Sequence, residues 1–410
     1  MDSKAPINSR LGRYIKTRYR DEDVDAFVPP PLPPDPPIEI LPLLDKLSAA
    51  DRALGRLDGV SLLLPDKELF LYMYVRKEAV LSSQIEGTQS TLDELLKFET
   101  DAKAGKPGDD IQEVSNYVNA TMYGLKRMES FPISLRYLRE LHERLLMHER
   151  LLKSGRGSEK NPGEFRTTQN WIGGTRPGNA SFVPPPPSEL MGCLDNFEKF
   201  LHDRSTNLPP LIRAGLLHVQ FETIHPFSDG NGRVGRLLIT LDLCDKKVLH
   251  QPLLYLSLYF KQHRSDYYRL LQEVRDRGAW EPWLEFFLDG ITYTANEAFE
   301  SAQKISNLLE HDRTKVSASS HSPGSALQVF ELLRRTPFVT VQSATERTKL
   351  SAPTTNSAIE QLRKLGILRE ITGKRRDRVY AYDNYLDILR DKPEPTPQAE
   401  EQLEQTPKPF

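Results

Sequence analysis

The chain has 410 residues, 27% of them charged and 38% hydrophobic, with a formal net charge of -2 at pH 7. That length allows two or three domains, each with its own core, and the charge balance excludes a global attraction to nucleic acid or anionic lipid. Two cysteines, Cys193 and Cys244, exclude a disulfide framework or a four-ligand zinc site and read as ordinary small residues in a reducing compartment.

Residues 1–39 read as an extended N-terminal arm and a Pro-rich strap. Arg10, Arg13, Arg18 and Arg20 are followed by Asp21, Glu22, Asp23 and Asp25 instead of an apolar run, so no signal peptide is expected. No run approaches the length of a membrane span, and the expected location is cytoplasmic. The segment PPPLPPDPP at 29–37 fixes φ residue after residue and predicts a polyproline II strap over a helical domain. An SH3-like partner is the other use of such a run.

Residues 40–130 predict an N-terminal helical domain, with Leu69, Met73, Arg76, Val80 and Leu81 at three- and four-residue steps. Gly87 should end one helix, and Thr91 with Glu94 forms a capping-box pattern for the next. Residues 101–110, DAKAGKPGDD, read as a loop. A second helical block covers 131–301. It is broken between 166 and 187 by TTQNWIGGTRPGNASFVPPPP, whose β-formers, paired glycines and prolines predict a hairpin with a rigid exit. Residues 302–324 read as a helix end and linker, polar and Ser-rich from 312. Over 325–390, three short helices precede ILREITGKRRDRVYAY, which alternates as two strands around Gly373 and predicts a small winged-helix domain. Residues 391–410 are Pro- and Glu-rich and expected to be disordered.

Chemistry concentrates in HPFSDGNGRVGR at 225–236. His225 can take a proton near neutral pH, and Asp229 is a hard oxygen ligand suited to Mg²⁺. Gly230 and Gly232 let successive N–H groups point at an anion, and Arg233 and Arg236 offer planar forks for phosphate oxygens. The apolar run after Gly235 makes the glycine loop feed a helix N-terminus, a phosphate site. A lone His before Pro is usually structural and a lone GNG is usually a turn. Their joint occurrence points to phosphate-centred transfer.

These residues resemble the Fic family, whose motif HPFx[DE]GNGRxxR is matched at every specified position; PGEFRTTQNWIGG, FVPPPP and LSLYFKQHRSDYYRLLQ extend the resemblance over roughly residues 10–300. The resemblance implies a mainly α fold, with a Fic-type helical core and a β-hairpin flap, and transfer of AMP from ATP to a Tyr, Thr or Ser hydroxyl of a target protein or of the chain itself. It implies His225 as general base and Asp229 as the Mg²⁺ ligand. The backbones of Gly230, Asn231 and Gly232, with Arg233, would cradle phosphates, and those of Val234 and Gly235 would open the helix below. Arg236 would grip the γ-phosphate, and Tyr267 would lie against adenine, with a core aromatic as the bland alternative. The hairpin from Thr168 to Phe182 would be the flap, with Ile172 and Gly173 meeting the target by main-chain bonds.

SSQIEG at 82–87 puts Ser82 and Glu86 on one helical face ahead of Gly87. Within the resemblance it looks like the inhibitory motif [ST]xxxE[GN], whose glutamate would occupy the fork of Arg236. Read without it, Glu86 is a solvated helix charge. Lys374, Arg375, Arg376 and Arg378 at the expected wing tip leave DNA binding open beside protein docking, and a homodimer is open too. The alternative from another class is a winged-helix transcriptional regulator that keeps a Fic core as a nucleotide sensor. An enzyme that transfers a different nucleotide or a phosphate is disfavoured by Gly232.

Overall fold

The computed structural model describes residues 10–63, 67–100, 108–147, 161–203, 205–319 and 323–390. The chain divides into two units, Met1–Ala302 and Gln303–Phe410. The expected loop at 101–110 is described only from 108, and the expected disordered tail from 391 lies outside the described residues.

The first unit opens with an antiparallel hairpin, β1 (Arg13–Tyr19) and β2 (Glu22–Val28), where an extended arm was expected. Two causes act together. The register sets Lys16 against Asp25 and Arg18 against Asp23, and β2 buries Val24, Ala26, Phe27 and Val28. Arg20, in the two-residue turn, takes a left-handed φ of 54°. The proline run then crosses the helices as a strap. Gln220 Nε2 donates to Pro30 O at 2.8 Å, and Arg10 donates to Pro36 O and Pro37 O at 2.7 and 2.5 Å. Bends at 32–33 and 35–36 replace the uniform polyproline II course expected.

The helices of this unit are α1 (Leu44–Leu63), α2 (Lys67–Ile85), α3 (Leu92–Thr100), α4 (Asp109–Met128), α5 (Leu135–Leu145), α6 (Pro187–His202), α7 (Pro210–Ile224), α8 (Asn231–Asp245), α9 (Ser257–Gln262) and α10 (Arg264–Arg277). At its centre, every residue of α7 from Leu211 to Ile224 is buried. A helix buried on all sides is the middle of a core and cannot show the one-faced pattern of a surface helix. Packed on α7 is α8, which α2, α4 and α5 also touch. Buried polar side chains here meet one another, Arg213 with Asp242 and His218 Nε2 with the Tyr267 hydroxyl at 2.8 Å.

Local signals set the helix ends. Gly87, at φ 110°, follows the end of α2, and Thr91 and Glu94 bond reciprocally ahead of α3. Ser134 caps α5 by accepting from Tyr137 N. The long α11 (Trp280–Ser317) runs past the boundary of the two units. Residues 312–317, expected as linker, are therefore helical, because Asp312 and Val316 are buried at a four-residue spacing despite the polar composition.

The second unit contains α12 (Pro323–Leu333), β3 (Phe338–Thr340), α13 (Val341–Thr348), α14 (Ala352–Lys364), β4 (Arg369–Glu370), β5 (Val379–Ala381) and α15 (Asp383–Leu389). Its sheet has the order β3-β5-β4, antiparallel throughout. Lys349 in a left-handed conformation ends α13, and Ser351 caps α14 three residues after it. Val329, Phe330, Ile359, Leu362 and Tyr382 are buried here, with the Tyr382 hydroxyl on Asp312 at 2.7 Å. Among the described residues, no helix is long and apolar enough to cross a membrane.

Candidate active site

The segment 225–236 joins the two central helices. His225 ends α7 in a left-handed conformation, φ 50° and ψ 59°, which swings the chain out of the helix at the imidazole. Its carbonyl accepts from Arg166 Nε at 2.9 Å and Asn170 Nδ2 at 3.3 Å, so the turn is held from outside. Burial pushes the imidazole down to about 4, helped by the nearby charges of Arg166 and Arg275. At neutral pH the ring is an unprotonated base.

Gly230, at φ 75°, is the N-cap of α8. The side chain of Asn231 closes the loop with two bonds, accepting from Phe227 N and donating to Phe227 O, both at 2.8 Å. The first N–H groups of a helix have no partner in its own ladder, so those of 231–233 are the candidates for an anion. Val234 N–H is already bonded to Gly230 O at 3.0 Å, and its side chain is fully buried. At Gly235 a Cβ would press on the Phe221 ring at 3.1 Å and on Glu222, so this glycine serves the close approach of α7 and α8. Both residues, expected to open the helix below the phosphates, are held here by helix bonding and by the packing of α7 on α8.

Asp229 Oδ1 accepts from Gly230 N at 2.6 Å and lies 3.7 Å from Arg233. Arg233 donates to Glu113 at 2.9 Å, and its Nε is buried without a hydrogen bond. Among the described residues no group of three or more His, Cys, Asp or Glu could hold a metal ion by itself. A cation at Asp229 would have to share oxygens supplied by a ligand.

Arg236 is 2% exposed and points back at α2. Its Nε donates to Ser82 Oγ at 2.9 Å, and its second terminal nitrogen donates to Ser82 O at 2.9 Å and Glu86 Oε1 at 2.6 Å. Burial opposes the charge of Glu86, but Arg236 overcomes it and the carboxyl is held below its usual range. A Cβ at Gly232 would collide with the Glu86 carboxylate, so that carboxylate lies directly against the glycine loop. Ser82, Glu86 and Arg236 are thus brought together, with Gly87 just beyond.

Two further carboxyls surround the same guanidinium. Burial pushes Glu78 and Glu222 up to about 7, with Arg236 pulling against it in both. Glu78 accepts from Ser257 N at 3.1 Å and its hydroxyl at 2.5 Å, whereas Glu222 Oε1 has no hydrogen bond.

Tyr267, expected against adenine, is a core residue whose hydroxyl lies within the field of Arg236, Glu222 and Glu86. It is 1% exposed, bonds His218 and stacks on Phe260 with centroids 4.6 Å apart, as a core aromatic does. Its neighbour Tyr268 is the 40% exposed member of the pair, with Glu86 and Arg236 acting on its hydroxyl. The expected flap hairpin is reduced to a single bridge, Ile172 with Phe182, followed by Gly173 and Gly174 at φ 71° and 69°. Its support comes from elsewhere: Phe27 N donates to Val183 O at 2.9 Å, Tyr19 meets Trp171 edge-on at 5.5 Å, and Glu22 pairs with Arg176.

Arg166, Asn170, Arg275, Glu222 and His142 were not singled out from the sequence. A buried arginine bonded to carbonyls leaves no local pattern. Only their concentration in one fold reveals them.

Residues 44–126 match the Fic/DOC family N-terminal region, and residues 132–243 match the Fic/DOC family model. Over 174 residues the chain is 33% identical to a Drosophila grimshawi protein and 34% identical to a Culex quinquefasciatus protein, each named Protein adenylyltransferase Fic. In both cases the match covers 42% of this chain and 30% of the relative's length. A solved Fic family protein from Desulfovibrio desulfuricans G20 is 22% identical, covers 83% of this chain and 95% of its own, and superposes with a TM-score of 0.50, a likeness of fold. With base, glycine loop and arginines in the places described, the chain carries a Fic/DOC N-terminal region followed by a Fic/DOC domain.

Proposed function

We propose that the chain is a protein adenylyltransferase, transferring AMP from ATP to a Tyr, Thr or Ser hydroxyl, and that Glu86 holds it inactive. The observation that carries the reading is the Arg236–Glu86 pair set against the glycine loop beside an unprotonated His225. A base next to an anion cradle suits phosphoryl-centred transfer, and a carboxylate in the cradle suits its restraint.

In this reading His225 takes the proton of the target hydroxyl as that oxygen bonds to the α-phosphorus. The bond to the bridging oxygen breaks and pyrophosphate leaves. The N–H groups of Asn231 and Gly232, with Arg233, hold the phosphates, and the unpartnered Arg233 Nε fits one of their oxygens. Arg236, once free of Glu86, takes the γ-phosphate. Asp229 fits Mg²⁺, since its carboxylate sits at the loop mouth beside Arg233 and a nucleotide would add the missing oxygens. Bound there, Mg²⁺ would neutralise phosphate charge. The backbone of Ile172 and Gly173 would align the target, and Tyr268 takes over the base-facing place once expected of Tyr267.

The test uses Glu86→Gly protein and ATP labelled at the α- or γ-phosphate, with Glu86→Gly/His225→Ala beside it. α-Label should become protein-bound and vanish without His225. Protein-bound γ-label would replace the reading with phosphate transfer, and nucleotide binding without transfer of either label would favour the sensor.

A second reading concerns the second unit. Residues 303–390 carry 15 Lys and Arg against 9 Asp and Glu, a balance of +6 in a chain of net -2. Its order of helices and strands, with exposed Arg375, Arg376 and Arg378 between β4 and β5, supports a winged-helix module that meets DNA phosphates. We read it as an accessory nucleic-acid surface on a cytoplasmic enzyme. A homodimer is a further proposal, checked by sedimentation.

A further inference from the structure

His142 lies on α5, fully buried, and is absent from the motif that defines the site. Its ring stacks on Phe227 with centroids 3.8 Å apart and planes 8° from parallel. Gly163 N–H donates to Nδ1 at 2.9 Å, and Nε2 lies 3.0 Å from the carbonyl oxygen of Asp229. These partners fix the ring's chemistry. A nitrogen that accepts from an amide carries no hydrogen, and a nitrogen facing a carbonyl must carry one. The imidazole is therefore neutral, with its hydrogen on Nε2.

We propose that His142 is a positioning residue for the phosphate loop, locked as the Nε2–H tautomer and fixing Asp229 through its carbonyl. Asp229 is the residue before the left-handed Gly230, and its carboxylate bonds Gly230 N. Holding the carbonyl sets the peptide plane from which the carboxylate and the first N–H groups of α8 project. Gly163, itself at φ 81°, orients the ring from behind, so the PGEF segment acts on the loop through the imidazole. The inference rests on the reading of Asp229 as the Mg²⁺-side carboxylate. It adds the residue that holds that carboxylate in place.

The test uses full-length Glu86→Gly protein, alone and with His142→Phe or His142→Gln. Phenylalanine keeps the stack on Phe227 and removes both hydrogen bonds; the glutamine amide can still donate to Asp229 O. Binding of a fluorescent ATP analogue is titrated with Mg²⁺ and with a chelator. The Mg²⁺-dependent gain in affinity should fall several-fold in His142→Phe and recover in part in His142→Gln, while binding in chelator stays level. Nitrogen NMR of labelled histidine should show Nδ1 bare and Nε2 protonated. Mg²⁺ dependence unchanged in folded His142→Phe, or a hydrogen on Nδ1, overturns the proposal. If Glu86→Gly itself binds no nucleotide, the transferase reading fails instead, and the nitrogen spectrum still decides the locked ring.

Discussion

At the scale of single residues, the site is governed by burial. His225 is unprotonated down to about pH 4 because desolvation and two arginines oppose its charge. Its folded pKa is depressed, so the base form is present above about 4. Transfer by the Glu86→Gly form should therefore persist at pH 5.5, where an ordinary imidazole of pKa about 6.5 is mostly protonated. A pH–rate profile with half-activity near 6.5 would contradict this. Glu222 has the opposite sign. Its folded pKa is raised from 4.5 to about 7, so its contribution to stability is complete below 4.5 and lost as pH rises through about 7. Glu222→Gln should remove that loss, and urea melts at pH 5 and 8 should differ between parent and variant by roughly 2–3 kcal/mol at the alkaline end. Equal pH dependence in both would show that Glu222 is charged in the fold. The sequence made the motif legible because its groups are contiguous. It did not separate Tyr267 from Tyr268, since both lie on α10 and only packing decides which one enters the His218 cluster.

At the scale of elements, the first hairpin and the flap form one device. Expected as an extended arm, residues 13–28 instead back the flap through Phe27, Tyr19 and Glu22. Alternating charge across two strands was present in the sequence, but opposite runs such as RYIKTRY and EDVDAFV also suit a solvated arm. Their pairing depends on an apolar floor that includes Val183, far along the chain. Trp171→Ala removes an aromatic contact worth about 0.5–1.5 kcal/mol, so amide exchange at Ile172, Ser181 and Phe182 should speed up by roughly 2- to 10-fold. Unchanged exchange would mean that the flap holds itself. The helix ends were more legible: the Thr91–Glu94 box and the glycine after α2 are local features with local consequences.

At the scale of the whole molecule, the two units differ in charge more than in pattern. Helix α11 runs through their boundary, and a continuing periodicity gives a reader no place to divide it. If the proposed nucleic-acid surface is right, the surplus of basic residues in 303–390 predicts a salt-sensitive association of the full chain with duplex DNA, weakened by reversing Arg375 and Arg376 to Glu. Binding that is absent at low salt would leave that unit to protein contacts. In the other unit, the carboxylate of Glu86, just past the end of α2, holds Arg236, the arginine proposed to take the γ-phosphate. The most direct measurement is the rate of α-label incorporation by parent and Glu86→Gly proteins at saturating Mg²⁺ and ATP. Removing this competitor should raise the rate at least about tenfold, the equivalent of losing one charge-assisted bond of roughly 1.5 kcal/mol. Equal rates in the two proteins would contradict a brake at Glu86.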